Sequence, residues 1–461
     1  MAQFLSLPAE LIDRIFSLLN LKTRKALRLA SQHLSDVGQR WVFNAAVVYP
    51  TQASCNRLDQ ILQNEKLSSY VTKIYLNTWD PEQDMGSQYY EHDDAEDDTG
   101  LHPRFWAVFD RVKDFPRLES IALRFHHECD EYDYYEVPQS SDFRTAVMNR
   151  LLTVLSSLPR LVRELALRDL ENVNPTETET LEQLQNVLGN LRSLRLNITN
   201  VSRGMSGSSD YHREPPQKFF AELPSFWLKP AMLNLEHLTL YSSLLVGFFP
   251  VCDLRDIHFP RLKTLALGNY TFIDDSQLEW ILSHGSTLTE LYLDDCVIVW
   301  EAGITDRENE PTLLPRERFR PHPDLYDDQV YTSYSKRWAD YFRAFGRGLP
   351  NLRHFRFGHS PYWWHEETTP FERESAIRIG FHEECYAVFC DGFLPCEYMQ
   401  HMIWRKLEDG KRKYEDGEAL KPSEEDRKAL VDLCAKVGQS ITLHEGDFLE
   451  DVDLSEEEEG W

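Results

Sequence analysis

The runs "LEHLTL" at residues 235–240, "LKTLAL" at 262–267 and "LTELYL" at 288–293 share one pattern, apolar-x-x-apolar-x-apolar, and start 27 and 26 residues apart. The alternation in the last positions suits a β-strand with one face in a core. The same pattern recurs as "VTKIYL" from Val71, "LESIAL" from Leu118, "VRELAL" from Val162, "LRSLRL" from Leu191 and "LRHFRF" from Leu352. Start-to-start spacings along the chain are 47, 44, 29, 44, 27, 26 and 64, which is a short repeat period interrupted by insertions. Helical punctuation lies between the strands. Asp275 is placed to start a helix through Leu278, Ile281 and Leu282 that stops at Gly285, and Leu181, Leu184, Val187 and Leu188 precede Gly189. Each unit therefore reads as strand plus helix in an α/β fold. The competing reading, an α/β domain with a few leucine-rich strands, fits poorly because the short spacings leave little room for doubly wound crossovers.

The N-terminus has a different character. In "LSLPAELIDRIFSLLNLKTRKALRLASQHLSD", residues 5–36, Leu11, Ile15 and Leu18 fall on one helical stripe and Ile12, Phe16 and Leu19 on a second beside it. Ser6 is a plausible cap and Pro8 a suitable first-turn residue, so a helix is expected from Leu7 or Pro8. A second amphipathic helix carries Leu27, Ala30, Leu34 and Val37 opposite Lys22, Arg24, Lys25 and Arg28, and Trp41, Val42 and Phe43 follow. So short a segment has more apolar surface than it can bury alone. Leu7, Pro8, Glu10, Leu11, Ile15, Leu18, Leu21, Leu27, Ala30, Ser31, Leu34 and Trp41 together resemble an F-box, the adaptor-binding motif of substrate receptors in SCF-type cullin–RING ubiquitin ligases. The resemblance covers residues 4 to 43. It implies docking on a Skp-family adaptor, and through it on cullin and RING subunits, with Leu7, Pro8, Leu11, Ile12, Ile15, Phe16 and Leu19 facing that partner. A helical cap packed on its own downstream domain is the alternative for the same pattern.

Residues 46–396 resemble the irregular leucine-rich-repeat domains that commonly follow an F-box. In such a solenoid, stacked units share one core and parallel strands line the concave side. The residues between the leucines then face the concave surface. They include Arg124, Arg168 and Arg195, a local positive patch able to take carboxylates or phosphates of a protein substrate, and Tyr241, Tyr292 and Arg356 further along. The same arginines can instead pair with the chain's own acidic loops.

Composition narrows the classes. The 461-residue chain has a formal net charge of −27, against nucleic-acid binding. Nine carboxylates lie in 80–98, five in 128–136 and nine in 445–459, with no Lys or Arg among them, so the first and last read as a solvated loop and tail. Mean hydropathy is −0.49, and the longest nearly unbroken apolar run, Leu244 to Cys252, is far short of a membrane span. Glu10, Asp13 and Arg14 interrupt any secretion signal, and the eight cysteines form no paired framework. Cytoplasm or nucleus is the expected compartment.

No motif announces catalysis: there is no phosphate-cradling glycine loop, nucleophile elbow or zinc-protease helix. The organisation expected is a helical domain at 1–45, the repeat domain at 46–396 with insertions near 80–100 and 301–330, a helical cap at 397–440 and a disordered acidic tail at 441–461. Pro311, Pro315, Pro321 and Pro323 argue for an extended loop in the second insertion, followed by a helix with Val330, Tyr334, Trp338, Tyr341, Phe342 and Phe345 on one face. Tyr362, Trp363 and Trp364 are read as a terminal cap. His382, Cys385, Cys390 and Cys396 could supply zinc ligands, but H-x2-C-x4-C-x5-C is no common zinc spacing, and no metal or other cofactor is expected. In the cap, "EYMQHMIWRKL" reads as a helix and Ser423 with Asp426 as the capping pair of a second. The expectation overall is a non-catalytic substrate receptor, with a repeat scaffold uncoupled from any ligase, or a zinc-binding protein, as the alternatives.

Overall fold

The structure is a computed structural model that describes residues 7–79, 103–126, 139–200, 214–305, 312–321, 329–360, 374–382, 384–390, 402–406, 412–416, 420–444 and 448–449. It is a mixed α/β protein with a large, mostly parallel sheet, and among the described residues there is no closed barrel. Among the described residues no helix is long and apolar enough to cross a membrane. The described residues divide into two compact units, one made of 7–126 and 145–167, the other of 139–144 and 168–449.

The first unit opens with three short helices, α1 (Ala9–Leu18), α2 (Leu21–Arg28) and α3 (Gln32–Val42). Pro8 stands at the cap position, so α1 begins one step later than the sequence suggests. Asn20 accepts from Thr23 N to start α2, and Ser31 accepts from Leu34 N to start α3. Strand β1 (Ala45–Val48), helix α4 (Gln52–Gln63), β2 (Lys73–Asn77), helix α5 (Pro103–Arg111) and β3 (Ser120–Arg124) follow. β1 pairs parallel with β2 and β2 with β3, setting Ile74 beside Ile121 and Leu76 beside Leu123. β1 precedes the first hexapeptide, and its register sets Ala46 and Val48 beside Ile74 and Leu76, so "FNAAVV" from Phe43 follows the same pattern with alanine where the other copies carry a larger apolar residue.

All eight hexapeptides form strands, each beginning at the third residue of the pattern. Beyond α6 (Ser141–Ser156) and β4 (Glu164–Glu171), the second unit carries α7 (Thr178–Leu188), β5 (Ser193–Thr199), α8 (Glu214–Leu223), β6 (His237–Ser242), β7 (Thr264–Gly268), α9 (Asp275–Leu282) and β8 (Glu290–Asp294). Parallel register aligns Leu196 with Leu240, Leu240 with Leu267, and Leu267 with Leu293, so the leucines form continuous rows in the core. A recurring hydrogen bond locks this register. Glu236 N and His237 N both donate to Arg192 O, Lys263 N and Thr264 N to Glu236 O, and Thr289 N and Glu290 N to Lys263 O. Between strands the helices stop as the sequence indicates at Gly189, while α9 is capped by Asp274 with Gln277, one residue before Asp275.

The insertion after β8 departs from the expected loop. Strand β9 (Val297–Thr305) runs well into it and pairs antiparallel with β10 (Gln329–Ser333). Val330 thus lies in a strand, and the aromatic helix α10 (Trp338–Gly348) starts later, burying Trp338, Tyr341, Phe342 and Phe345. β11 (His354–His359) returns to the parallel sheet beside β8, and β12 (Tyr386–Cys390) pairs parallel with β9 to complete a second sheet. The cap is likewise corrected: in place of the helix expected from "EYMQHMIWRKL", β13 (Met402–Lys406) and β14 (Arg412–Asp416) pair antiparallel. The runs flank Asp409–Gly410, a hairpin signal that the helical reading overlooked. Helix α11 (Glu424–Lys436) then forms with Ser423 and Asp426 as its capping box. Phe448 and Leu449, in the segment expected to stay unpacked, join the fold instead: Phe448 bridges Phe381, and Leu449 N donates to Phe381 O at 2.8 Å.

Candidate functional site

Two surfaces carry the residues singled out in the sequence, and each lies within one unit. In the first unit, α1 to α3 close on a small core of Ile12, Phe16 and Leu34, with Leu7, Leu27, Val37 and Trp41 packed around it. Polar contacts tie the helices together. Arg24 donates from Nε to Phe16 O (2.8 Å) and from Nη2 to Ser17 O (3.1 Å), satisfying carbonyls at the end of α1. Asp13 accepts from Arg40 Nε (2.7 Å) and Trp41 Nε1 (2.5 Å). Burial alone would raise the Asp13 carboxyl, but these donors outweigh it and hold it low.

This core corrects part of the expected partner-facing set. Ile12 and Phe16 are fully buried by their own chain and cannot also contact a partner. Of the two stripes on α1, theirs turns inward, with Leu19 half-buried; Leu7 is half-buried as well. The other stripe stays out: Leu11 is 52% exposed and Leu18 72%, with Ile15 half-buried between them, and Pro8 is exposed too. Leu21 and Leu29, at the two ends of α2, are exposed as well, Leu29 by 79%. Sequence reasoning left Leu18, Leu21 and Leu29 out of the partner-facing set, although Leu18 sits on a stripe it had identified.

The second surface is the face of β5 to β8 opposite the leucine rows. The alternation that buries Leu194, Leu196, Leu238 and Leu240 sends Ser193, Arg195, His237, Thr239 and Tyr241 to the other side. The sequence leaves that side open, but a segment of the same chain covers it. Glu374 reaches in, and Arg195 Nε (3.1 Å), His237 Nε2 (3.1 Å) and Thr239 Oγ1 (2.6 Å) all donate to its Oε1. Arg195 Nη2 lies 3.4 Å from His237 Nδ1, an arrangement that makes Nδ1 the acceptor and leaves the ring proton on Nε2. Burial alone would raise the Glu374 carboxyl, but the His237 hydrogen bond and the Arg195 charge prevail and lower it to about 2. Three residues further on, Ile377 is fully buried against Tyr241, Ala266 and Tyr292, and its carbonyl accepts from Arg356 Nη1 at 2.7 Å.

The candidate substrate residues are therefore engaged within the chain. Tyr241 and Tyr292, placed on an open face by alternation, are buried under Ile377; burial and the Asp294 charge raise the Tyr241 hydroxyl, and Tyr292 OH lies 3.3 Å from Glu290. Arg168 lies 3.5 Å from Asp169. In the first unit, Arg124 stacks over Trp79 at 4.7 Å. Arg195 finds its carboxylate at Glu374, which belongs to neither of the acidic runs expected to neutralise it; those runs lie outside the described residues, as do Tyr362, Trp363 and Trp364.

Of the possible zinc ligands, Cys396 and the side chain of Cys390 are also outside the described residues. His382 Nε2 lies 3.3 Å from Cys296 O, and burial raises the Cys385 thiol well above its ordinary value. A cluster absent from the sequence reading forms where β8 ends: ligand atoms of Asp294, Asp295 and His359 lie within 4.8 Å of one another. His359 Nδ1 is 2.8 and 2.9 Å from the two Asp295 oxygens, and Ser360 N donates to Asp294 at 2.7 Å, so contacts within the chain engage the cluster.

No protein-family model matches this chain, and a search of curated proteins gives no match either.

Proposed function

We propose that this chain is a non-catalytic substrate receptor of an SCF-type cullin–RING ubiquitin ligase, working in the cytoplasm or nucleus. In this reading α1 to α3 dock a Skp-family adaptor, and stacked leucine-rich-repeat units receive a protein substrate, so that the chain contributes proximity and its partners the chemistry. The single observation that carries it is the leftover apolar stripe: the helical unit completes a core of its own around Phe16 and still presents Leu11, Leu18, Leu21 and Leu29. Four exposed leucines on about thirty residues leave apolar surface that a partner would cover. Exposed Lys22 and Lys25 on α2 suit a partner with acidic groups around an apolar centre. The F-box resemblance supplies the identity of that partner, and the in-register leucine rows support the repeat reading.

The test is affinity capture with the full chain and with a variant carrying Leu11→Glu, Leu18→Glu and Leu29→Glu. These side chains lie outside the core, so the variant should fold. Adaptor recovered with the unaltered chain and lost with the variant is the expected result. Equal recovery with both, or no adaptor with either, overturns the ligase reading and favours a repeat scaffold acting alone.

A further inference from the structure

Strands β5 and β6 together build a carboxylate receptor. On the face away from the leucine core, β5 offers Ser193, Arg195 and Asn197 and β6 offers His237, Thr239 and Tyr241, with no acid among them. Parallel register brings Arg195 beside Thr239. Donors from three side chains meet at one point, at 3.1, 3.1 and 2.6 Å from a single oxygen. Glu290, on β8, is engaged by Thr264 (3.0 Å) and Tyr292 (3.3 Å) and does not enter this group. The anion that satisfies the donors arrives from far along the chain: Glu374 is separated from Arg195 by 179 residues and is 7% exposed. Ile377 in its apolar seat, the Arg356 bond to Ile377 O, the bond from Gly380 N to Phe357 O and a two-residue antiparallel pairing of Gly358 and His359 with Ile379 and Arg378 hold its segment, and Phe381 beyond it packs on Phe342 and Phe357 and accepts from Leu449 N.

We infer that the Arg195–His237–Thr239 pocket is a recognition site for an acidic side chain of a partner protein, and that Glu374 is its resident occupant, which such a partner displaces. A buried ion pair contributes little net stability over an apolar replacement, so stability alone is a weak reason for three donors to converge there. A convergent donor set with a charged acceptor is, by contrast, a strong and directional means of recognising a carboxylate. The inference rests on the proposed function only in that the strand region receives a protein partner, and it does not need the adaptor.

The experiment is fluorescence anisotropy of a fluorescein-labelled hexaglutamate peptide titrated with the full chain. Glu374→Ala empties the pocket without touching its donors, and we expect it to bind the peptide about tenfold tighter than the unaltered chain, as one or two charge-assisted hydrogen bonds freed for the ligand would give. Adding Arg195→Ala to that variant should abolish the gain. Ile377→Ala provides an independent arm: it loosens the covering segment, leaves Glu374 and all three donors in place, and should raise affinity in the same direction. Glu374→Ala that is folded by circular dichroism yet binds no tighter overturns the proposal. So does a gain that survives Arg195→Ala, and so does failure of both single variants to fold, which would make Glu374 a structural latch only. Because no adaptor is present in the assay, its outcome is independent of the capture experiment above.

Discussion

The helices of residues 9–42 and the outer face of β5 to β8 both carry more side-chain surface than their own elements can hide, but they deal with it differently. Over the strands the chain supplies the cover itself, with Glu374 for the polar donors and Ile377 for the tyrosines. Over the helices, Leu11, Leu18 and Leu29 are left to solvent once Ile12 and Phe16 have been used. Residues that look alike in sequence, apolar at helical spacing or basic at strand spacing, thus end in opposite surroundings: the inward ones fill the core, and the uncovered ones stay in solvent.

Substitution can sharpen that contrast, starting with the inward stripe. Phe16→Ala should cost about 3–5 kcal/mol, because the ring fills the centre of a core with few other members. Hydrogen exchange should show the loss concentrated in residues 9–42, and uniform loss over the whole chain would deny that this core is local.

Acid should act next, and chiefly on the strand region. Glu374 is held down to about 2, below an ordinary value of 4.5, so its stabilisation is present above pH 4.5 and is lost as pH falls toward 2. His284 points the same way by a different route. It is buried, donates from Nδ1 to Trp280 O (2.9 Å) and accepts Phe259 N on Nε2 (3.1 Å). Burial, then the neighbouring His258, brings it to about 4 from an ordinary 6.5. Its neutral form is the native one, so stability is full above pH 6.5 and declines as pH falls to 4. Each group contributes on the order of a few kcal/mol at the extremes. Denaturant titrations at stepped pH should therefore show two successive losses, the upper one absent from a His284→Gln variant.

Smaller effects complete the series. Ile377→Val removes one methylene from a fully buried side chain and should cost about 1 kcal/mol, read by the same titration. Leu18→Lys or Leu29→Lys should change stability by less than about 0.5 kcal/mol, since neither side chain is packed. A thermal shift much larger than that for the leucine variants would mean that the uncovered stripe is part of the fold after all, and the contrast between the two regions would collapse.

The strands were the most legible part of the sequence. Eight hexapeptides with leucines at fixed positions specify both the strand and its inward face, because a period of two admits only two choices and the leucines decide between them. Capping residues were legible for the same local reason, as Ser423 with Asp426 shows. The two stripes on α1 were visible too, but not which would turn inward, since Ile12 and Leu11 have equal claims until α3 brings Leu34 against one of them. The β9–β10 pairing and the β13–β14 hairpin escaped because short apolar runs fit a helix or a strand equally well when read alone, and the partner strand settles the matter.

What the sequence determined by itself were the eight strands with their inward faces and the two apolar stripes of the N-terminal segment, all of them consequences of local periodicity; the helix expected in every unit is missing from the connection between β6 and β7. What only the tertiary structure decided was which charged and apolar groups would find partners in the same chain. Arg195 meets Glu374, and Tyr241 and Tyr292 meet Ile377, across sequence separations that no local pattern encodes, because the contact exists only after the strands have stacked and the chain has returned over them.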